Sequence, residues 1–474
     1  MLRRYLTLSF SSLLLLALLF LTGCSFVRPQ FRRGFRTQFK INSIPTVSDP
    51  YHINYDLTFS LNFASNKRNT YGTGWLIDWK GDENNPEKND PFKVYLATNL
   101  HVIDALRNNN DYEPYNKDSN NQAFNSEEIT RFFSIGKYTY PSIFSELNFI
   151  SNAREAFVSI QTSTIPKTAY AAVNFVETQG EDESYTDSLS TDNKRDIYAD
   201  FAVIEIPLFL TNHRDYQVFN EFIKPAIETY KQLGNSSFEK KQLDQHKNDN
   251  FYMLGYPLVE SSIDALILNQ RRQYNNSYTE KYTPQTLTKD QRTIDLSREV
   301  PILIQNKTEN STGSQLLVNQ SLSSTSEGII EFIKLPEFKL NYHNKSYRQY
   351  GRGFALQNTN FRPGSSGTLM LNNQKQIAGI YFGVLDFGED VSLMSNIGVG
   401  QILRVPQKNN TRNRSIATNK SNYDLIFGDS NTTNFYAKFA RQNNTHLYQM
   451  ISNSKDTKLK YVNTVEKTVK ASIK

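Results

Sequence analysis

Cysteine is nearly absent from this 474-residue chain, whose single example is Cys24. A lone cysteine cannot pair within the molecule, so no intrachain disulfide stabilises the fold. Several motifs of cofactor and metal sites are missing as well: HExxH or paired CxxC for zinc, a Gly-rich loop ending in Lys-Ser or Lys-Thr for phosphate, and GxGxxG between a strand and a helix. The sequence therefore implies no metal and no cofactor.

An excess of one charge is also lacking, because 53 Lys and Arg residues stand against 47 Asp and Glu residues. The charges are interspersed, and no basic stripe with interleaved aromatic residues predicts a nucleic-acid channel. Beyond the N-terminus no apolar run approaches the length of about 18 residues that indicates a membrane-spanning helix. We therefore expect the bulk of the protein to lie outside the membrane and to bind no nucleic acid.

The N-terminus has the pattern of an export signal. Two arginines precede a Leu-rich run that ends at Leu21, and small residues follow it. The Leu-Thr-Gly-Cys sequence that ends at Cys24 resembles the lipobox of bacterial lipoproteins. This resemblance implies a signal peptide over residues 1–23, a lipid on Cys24 that anchors the chain to the extracellular face of the cell membrane, and a tether over residues 24–48. The alternative is an uncleaved transmembrane helix over Tyr5–Gly23.

Short segments in which apolar and polar residues alternate, rich in β-branched and aromatic side chains, predict strands. These segments are 55–63, 72–79, 92–100, 156–161, 169–176, 196–206, 250–258, 301–305, 328–334 and 350–356. Convincing helices are few, and the clearest covers 214–233. Polar segments at 108–126, 177–195 and 268–325 predict long loop insertions. The pattern favours a mainly β sandwich or barrel over a parallel α/β sheet.

The same pattern divides the mature chain into four parts. A first β-barrel is predicted over 49–212, a linking helix and loop over 213–249, a second β-barrel over 250–405, and a polar C-terminal extension over 406–474. Within the extension, only "YDLIFG" and "FYAKFARQ" are apolar enough to dock on the core.

One of the chain's six histidines, His101, directly follows an apolar strand. Such an imidazole is often structural, but it can also act as a general base if a carboxylate holds its tautomer. Asp200 is the candidate partner, since it lies at the start of an apolar run. Asp104 is the competing acid, although on a helical turn it would project alongside the histidine rather than from a facing strand.

The third candidate group is a serine in a turn bracketed by glycines, Gly364-Ser365-Ser366-Gly367. Attack on a carbonyl requires a hydroxyl on a tight turn and backbone N–H groups directed at the oxygen that becomes negative. Glycines on both sides permit such a backbone. The alternative is an ordinary hairpin turn or linker.

Taken together, these motifs resemble those of the trypsin-like serine peptidases, in the order His, Asp, Ser that is typical of the chymotrypsin class. The matching stretches are "GTGWLI", "ATNLHV", "DFAVIEI" and "GSSGTLMLNNQKQIAGI". Over roughly residues 55–405 the chain also resembles the mycoplasma lipoproteins with a trypsin-like peptidase domain, a family that includes the mycoplasma immunoglobulin proteases. The resemblance implies a trypsin-like double β-barrel with long polar loop insertions.

By this resemblance His101 is the general base, Asp200 its orienting acid and Ser366 the nucleophile. The oxyanion hole is implied at the backbone N–H groups of Gly364 and Ser366. Two departures from the family pattern stand out: the gaps between the three residues are longer than in compact trypsin-like enzymes, and Ser365 replaces the usual Asp before the nucleophile. Ser366 is preferred over Ser365 because it has Gly364 two residues before it and a glycine directly after it.

A substrate pocket is expected around Asn360 and the segment from Tyr381 to Gly383. The resemblance implies a serine endopeptidase that acts on proteins or peptides, with immunoglobulins as a family-level substrate. Some relatives act with a separate antibody-binding partner protein. The alternative function is that of a non-catalytic surface lipoprotein, an adhesin or host-protein binding module on a peptidase-like scaffold.

Overall fold

The structure of the protein is a computed structural model. It describes residues 52–86, 91–138, 157–176, 196–241, 243, 251–256, 258–259, 272–273, 329–332, 339–356, 364–372, 374–384, 398–406 and 422–453. These residues fall within one compact unit, Lys40–Lys474. The expected signal peptide, tether and lipid attachment at Cys24 lie outside the described residues, as do the predicted strand 301–305 and the predicted loop 177–195.

Strands account for most of the regular structure. In chain order they are β1 (Thr58–Ala64), β2 (Asn69–Lys80), β3 (Phe92–Thr98), β4 (Phe132–Tyr138), β5 (Phe157–Gln161), β6 (Lys167–Val173), β7 (Ile197–Leu208), β8 (Leu258–Val259), β9 (Arg272–Gln273), β10 (Ile329–Glu331), β11 (Lys339–Tyr342), β12 (Lys345–Gln349), β13 (Arg352–Leu356), β14 (Thr368–Leu371), β15 (Ile377–Val384), β16 (Gly398–Ile402), β17 (Arg404–Val405) and β18 (Tyr423–Asp424).

The helices are short. They are α1 (His52–Leu57), α2 (His213–Val218), a π-helical turn (Phe219–Ile223), α3 (Lys224–Leu233), a 3₁₀ turn (Asn235–Phe238), α4 (Tyr436–Asn443) and α5 (His446–Asn453). The predicted helix 214–233 is therefore present as α2, the π-helical turn and α3 in succession. Within the described part of the chain, no helix has both the length and the apolar character needed to cross a membrane.

Two sheets form the body of the protein. The first has nine strands in the order β11-β12-β7-β3-β2-β1-β4-β5, with β6 also paired to β7. The second has five strands in the order β10-β13-β16-β15-β14. The predicted mainly β fold class is confirmed, and no closed barrel forms among the described residues.

The centre of the first sheet consists of β3 and β7, paired antiparallel with Thr98 opposite Ala202. Every residue of β7 is buried, which explains its nearly continuous apolar sequence "IYADFAVIEIPL". Large aromatic side chains such as Trp75, Trp79 and Tyr95 fill the core beside these strands. The central strands are thus fixed by burial; β7 carries Asp200, and β3 leads directly into the turn of His101.

Two predicted strands are wrong in part. The segment 55–63 begins in α1 and becomes extended only at Thr58. In the segment 250–258, the described residues 251–256 form no strand and make one isolated bridge, between Tyr252 and Leu371. The carbonyl of Tyr252 accepts from the N–H of Leu371 in that bridge (3.1 Å) and also from the side chain of Asn54 (3.0 Å).

The sequence analysis missed the hairpin of β11 and β12, which lies within the predicted second barrel. Its strand β12 pairs in parallel with β7 and so joins the hairpin to the first sheet. Its turn is His343-Asn344, both with positive φ (50° and 65°). β12 is a five-residue polar strand, Lys-Ser-Tyr-Arg-Gln, and its partner lies about 150 residues earlier in the chain, so its sequence gives little periodic signal.

The C-terminal extension packs against β2 through the buried carboxylate of Asp78. Its Oδ1 accepts from the backbone N–H groups of Trp79 and Leu447, each at 2.8 Å, and its Oδ2 accepts from the hydroxyl of Tyr436 at 3.0 Å. Burial raises the pKa of Asp78 to about 7, although these hydrogen bonds lower it. One carboxylate therefore joins α4 and α5 to the first sheet.

We expect Asp78→Ala to destabilise the protein by about 3 kcal/mol, because it leaves several buried donors without an acceptor. Tyr436→Phe removes a single hydrogen bond and should cost about 1 kcal/mol. The measurement is urea unfolding of the full chain, with the exposed Glu221→Ala as a control that should change stability by less than about 0.5 kcal/mol. Equal stabilities for Asp78→Ala and the wild type would contradict the role of this carboxylate.

Candidate active site

His101 lies in a short turn directly after β3. The neighbouring Leu100 and Val102 are buried, whereas the side chain of His101 is 36% exposed. Burial of its neighbours fixes the backbone while the ring reaches the surface. The side chain of Asn99 adds to this by donating to the carbonyl oxygen of Asp200 (2.6 Å).

Asp200 lies in β7 and meets His101 at two points. One carboxylate oxygen is 2.7 Å from Nδ1 of the ring, and the other accepts from the backbone N–H of His101 at 3.1 Å. A carboxylate on Nδ1 favours the tautomer in which Nδ1 carries the proton, so Nε2 remains as the acceptor. Asp104 instead pairs with Arg68 at 2.7 Å.

The electrostatics of the ring favour its protonated form. Burial of the ring by itself lowers the pKa of His101, but the charge and hydrogen bond of Asp200, with a smaller effect of Asp104, raise the pKa above its usual value. A proton accepted by this imidazole is therefore held more firmly than by a free histidine.

The serine turn lies between the two sheets, just before β14. Gly364 and Gly367 both have a φ of 97°, a conformation that residues with a side chain rarely adopt. Ser365 is fully buried, and Ser366 is partly exposed. The geometry thus leaves Ser366 as the serine that a second molecule can reach.

In this conformation the hydroxyl of Ser366 donates to the backbone carbonyl of Phe382, with Oγ and O 3.1 Å apart. Among the described residues there is no hydrogen bond between Ser366 and His101. The backbone N–H groups of Gly364 and Ser366 likewise donate to no acceptor among them. Those two N–H groups are the ones that the sequence analysis assigns to an oxyanion hole.

Thr73, in β2, holds the serine turn. Its backbone N–H donates to the carbonyl of Ser366 (2.8 Å), and its hydroxyl donates to the carbonyl of Gly364 (2.9 Å). The same hydroxyl accepts from the N–H of Tyr256 at 3.0 Å. One residue of the first sheet therefore fixes the backbone on both sides of Ser365.

Gly367 makes the closest approach between the turn and the first sheet. A Cβ at this position would lie 1.8 Å from the carbonyl oxygen of Thr73 and 2.6 Å from the hydroxyl of Thr98. Thr98 in turn donates to that carbonyl at 2.7 Å, and it comes three residues before His101. The glycine after Ser366 is thus required by packing as well as by its φ angle.

Of the residues predicted for a substrate pocket, one is buried, one faces open space, and one lies outside the described residues. Tyr381 lies in β15 with its side chain buried, and its carbonyl accepts from the N–H of Gly367 at 2.9 Å. Gly383, in the same strand, has open space where a Cβ would project. Asn360 lies outside the described residues. The pocket stays a prediction.

The sequence analysis missed several residues that support the site. Thr73 and Thr98 lie within the stretches "GTGWLI" and "ATNLHV", so their position was visible but their contacts were not. The side-chain oxygen of Gln401, in β16, accepts from the backbone N–H of Asp200 (3.4 Å) and from the side-chain amide of Gln349 (3.2 Å). Nothing in the local sequence of Gln401 indicates that role. No group of three or more metal-ligating side chains occurs within the part of the chain that the structure describes.

Residues 48–383 match the protein family described as Mycoplasma immunoglobulin protease. An uncharacterized lipoprotein of Mycoplasma pneumoniae is 50% identical to this chain, over 95% of this chain and 93% of its own length. An uncharacterized lipoprotein of Mycoplasma genitalium is 42% identical, over 91% of this chain and 84% of its own length.

Similarity to solved structures is more distant. The structure of the mycoplasma MIB and MIP proteins aligns with a TM-score of 0.45 and 14% identity, over 81% of this chain and 60% of that chain. This chain therefore spans less than two thirds of that protein. A Glu endopeptidase in complex with MPD aligns with a TM-score of 0.26 and 11% identity, over 76% of this chain and 91% of its own.

The contacts of Thr73 generate a prediction about the reactivity of Ser366. Thr73→Val keeps the volume of the side chain but removes the hydroxyl, which leaves the carbonyl of Gly364 free to move. We expect the rate at which a fluorophosphonate labels Ser366 to fall about tenfold or more, since small displacements of a reacting group are costly.

Thr73→Ser is the matched control, because it retains the hydroxyl and should label within about twofold of the wild-type rate. Thermal unfolding of both variants separates a displaced turn from a loss of folding. A wild-type rate for Thr73→Val, or an equal loss in both variants, would remove Thr73 from this positioning role.

Proposed function

Because the chain belongs to the Mycoplasma immunoglobulin protease family, we propose that it is a lipid-anchored serine endopeptidase of trypsin-like mechanism. The observation that carries this proposal is the contact of His101 with Asp200, 2.7 Å between ring nitrogen and carboxylate, in the sheet whose strand β2 bonds to the serine turn. A purely structural histidine has no need of a carboxylate on Nδ1 together with a side chain that is 36% exposed.

In the proposed reaction His101 acts as the general base. Asp200 holds the ring with Nε2 available, and Nε2 accepts the proton of Ser366 as the hydroxyl attacks a peptide carbonyl. The imidazolium then returns the proton to the leaving amine. Water hydrolyses the acyl-enzyme by the same route, again with His101 as base.

Ser366 must first give up its hydrogen bond to the carbonyl of Phe382. Rotation about its Cα–Cβ bond would direct the hydroxyl towards His101, and catalytic hydrogen bonds often form only once substrate is bound. The N–H groups of Gly364 and Ser366 would stabilise the negative oxygen of the tetrahedral intermediate. Their lack of partners among the described residues supports this role.

The cellular setting is proposed from the sequence and from the relatives. Both relatives described above are named lipoproteins. We place the lipid on Cys24 and the enzyme on the extracellular face of the cell membrane. The family description supports an immunoglobulin as the substrate, and a separate antibody-binding partner protein would present it.

A second function has one observation in its favour. With the hydroxyl of Ser366 bonded to a backbone carbonyl, the described conformation has no activated nucleophile. A non-catalytic surface lipoprotein, an adhesin or host-protein binding module, would retain this arrangement permanently. The two functions differ in whether Ser366 reacts with an acylating or phosphonylating reagent.

The central test is substitution of the two serines in the turn. Ser366→Ala should abolish both fluorophosphonate labelling and the cleavage of purified immunoglobulin by the full chain. Ser365→Ala should retain labelling, because this side chain is buried and its hydroxyl has no partner among the described residues. Labelling that survives in Ser366→Ala would exclude Ser366 as the nucleophile, and an unreactive wild type would favour the binding function.

The pH dependence follows from the raised pKa of His101. The base must be neutral, so the labelling rate should fall as the pH drops through this pKa, with a midpoint above about 6.5. Asp200→Asn removes the charge that raises the pKa, so the midpoint should move to lower pH while the maximal rate falls by orders of magnitude.

Asp104→Asn is the matched control for that experiment. Asp104 is the weakest contributor to the pKa of His101 and is paired with Arg68. Its removal should shift the midpoint in the same direction by less, with the maximal rate retained. A midpoint that does not respond to Asp200→Asn would contradict the assignment of His101 as the titrating base.

A further inference from the structure

A polar groove of about 610 Å³ lies beside the turn that carries His101. Four segments form its walls: the turn between β1 and β2, the segment that follows His101, the turn of Glu128 before β4, and the β11–β12 hairpin. The charged or amide side chains that line it include Lys67, Arg68, Asp104, Arg107, Glu128 and Asn344. The groove is thus a charged depression that shares a segment with the candidate site.

Four of these charges neutralise one another in pairs. Lys67 bonds to Glu128 at 2.9 Å, and Arg68 bonds to Asp104 at 2.7 Å. Both cations are about half exposed, so each pair is weak and in contact with water. Arg107 has no ion-pair partner among the described residues, and the carboxylates of Asp104 and Glu128 act on its charge only at longer range.

Arg107 is held in place from one side only. Its Nη1 donates to the carbonyl oxygens of Asp104 and Leu106, and its guanidinium carbon lies 5.3 Å from the centre of the Phe124 ring. It forms no ion pair with a carboxylate in the described residues, and the other two nitrogens of its guanidinium group have no hydrogen-bond partner there. Burial lowers the pKa of Arg107, which indicates that its charge is incompletely solvated.

A fixed, half-buried guanidinium with free N–H groups is suited to a carboxylate, which it can bind through two parallel hydrogen bonds. A bound carboxylate would also offset the cost of the unpaired charge. The groove therefore favours an anionic side chain over a neutral one of the same shape.

The position of the groove indicates which part of a substrate would enter it. In the proposed reaction His101 returns its proton to the leaving amine, so the leaving half of the polypeptide passes His101. The segment from Asp104 to Arg107 begins three residues beyond that histidine. Gly72 lies in β2, next to Thr73, which bonds to the carbonyl of Ser366. The backbone of Gly72 packs directly on Val102, the residue after His101.

We propose that this groove binds the polypeptide on the leaving-group side of the scissile bond, and that Arg107 selects an acidic side chain there, an inference that rests on the proposed peptidase function. Arg107 is then a specificity residue and takes no part in bond cleavage. Lys67 and Arg68 contribute less because each already has a carboxylate.

The first experiment profiles cleavage sites in a proteome-derived peptide library. The wild-type full chain should prefer Asp or Glu over Asn or Gln at one of the four positions after the cleaved bond, by about tenfold, as expected for a charge-assisted hydrogen bond. Arg107→Met, which keeps the packing on Phe124, should abolish this preference with little change for neutral sequences. Arg107→Lys should retain part of it, and Lys67→Gln should retain it fully.

The second experiment does not require catalysis. Binding of fluorescein-labelled hexaglutamate and hexaglutamine to the full-length Ser366→Ala variant is followed by anisotropy at low salt. Hexaglutamate should bind about tenfold more tightly, and adding Arg107→Met should remove the difference. Thermal unfolding of each variant excludes loss of folding as the cause.

The two experiments separate the groove from the proposed function. Hexaglutamate binding that depends on Arg107, in a protein that cleaves no peptide, would support the groove and contradict the peptidase. Cleavage without acidic preference, or with a preference that survives in Arg107→Met, would overturn the role of Arg107 and leave the peptidase intact. Hexaglutamate binding that is unchanged by Arg107→Met would also overturn it.

Discussion

A single carboxylate in an apolar strand is the constraint on which the candidate site depends. Asp200 lies in β7, where every other residue is also buried, and an ionised group there is stable only if its oxygens are paired. Both oxygens are met by one residue, His101, through its backbone and its ring. The pairing of β3 with β7 brings the turn of His101 to this carboxylate. Thr98, the last residue of β3, lies opposite Ala202, two residues after Asp200.

The serine turn is attached to the first sheet through contacts that are made mostly by backbone atoms. Thr73 donates to the carbonyls of Gly364 and Ser366. Gly367 allows the serine turn to approach β2 more closely than any side chain would permit. Gln401 makes a second link, from β16 to Asp200. The position of Ser366 relative to His101 is therefore determined by how the two sheets pack against each other.

The sequence predicted the parts of this arrangement that are local. Strands β2 and β3 were found by their alternation and β7 by its apolar run. His101 and Asp200 were found by their positions at the ends of such segments, and Ser366 by its glycine-bracketed turn. Contacts such as those of Gln401, or of the β11–β12 hairpin with β7, join residues far apart in the chain, and no periodicity in one segment reports them. Thr73 is intermediate, since it lies in the "GTG" stretch of a predicted strand, but nothing in that stretch shows which way its hydroxyl points.

The same interaction has opposite consequences for the fold and for the proposed chemistry. Because the pKa of His101 is raised, the pair with Asp200 stabilises the folded state below the pKa of an unfolded histidine, and that contribution is lost as the pH rises through the raised value. A general base needs the neutral ring, which predominates only above it. In the proposed reaction this conflict would be resolved: the imidazolium formed when Nε2 takes the serine proton would receive the full attraction of Asp200, so the charge that favours protonation at rest would stabilise the intermediate that follows attack.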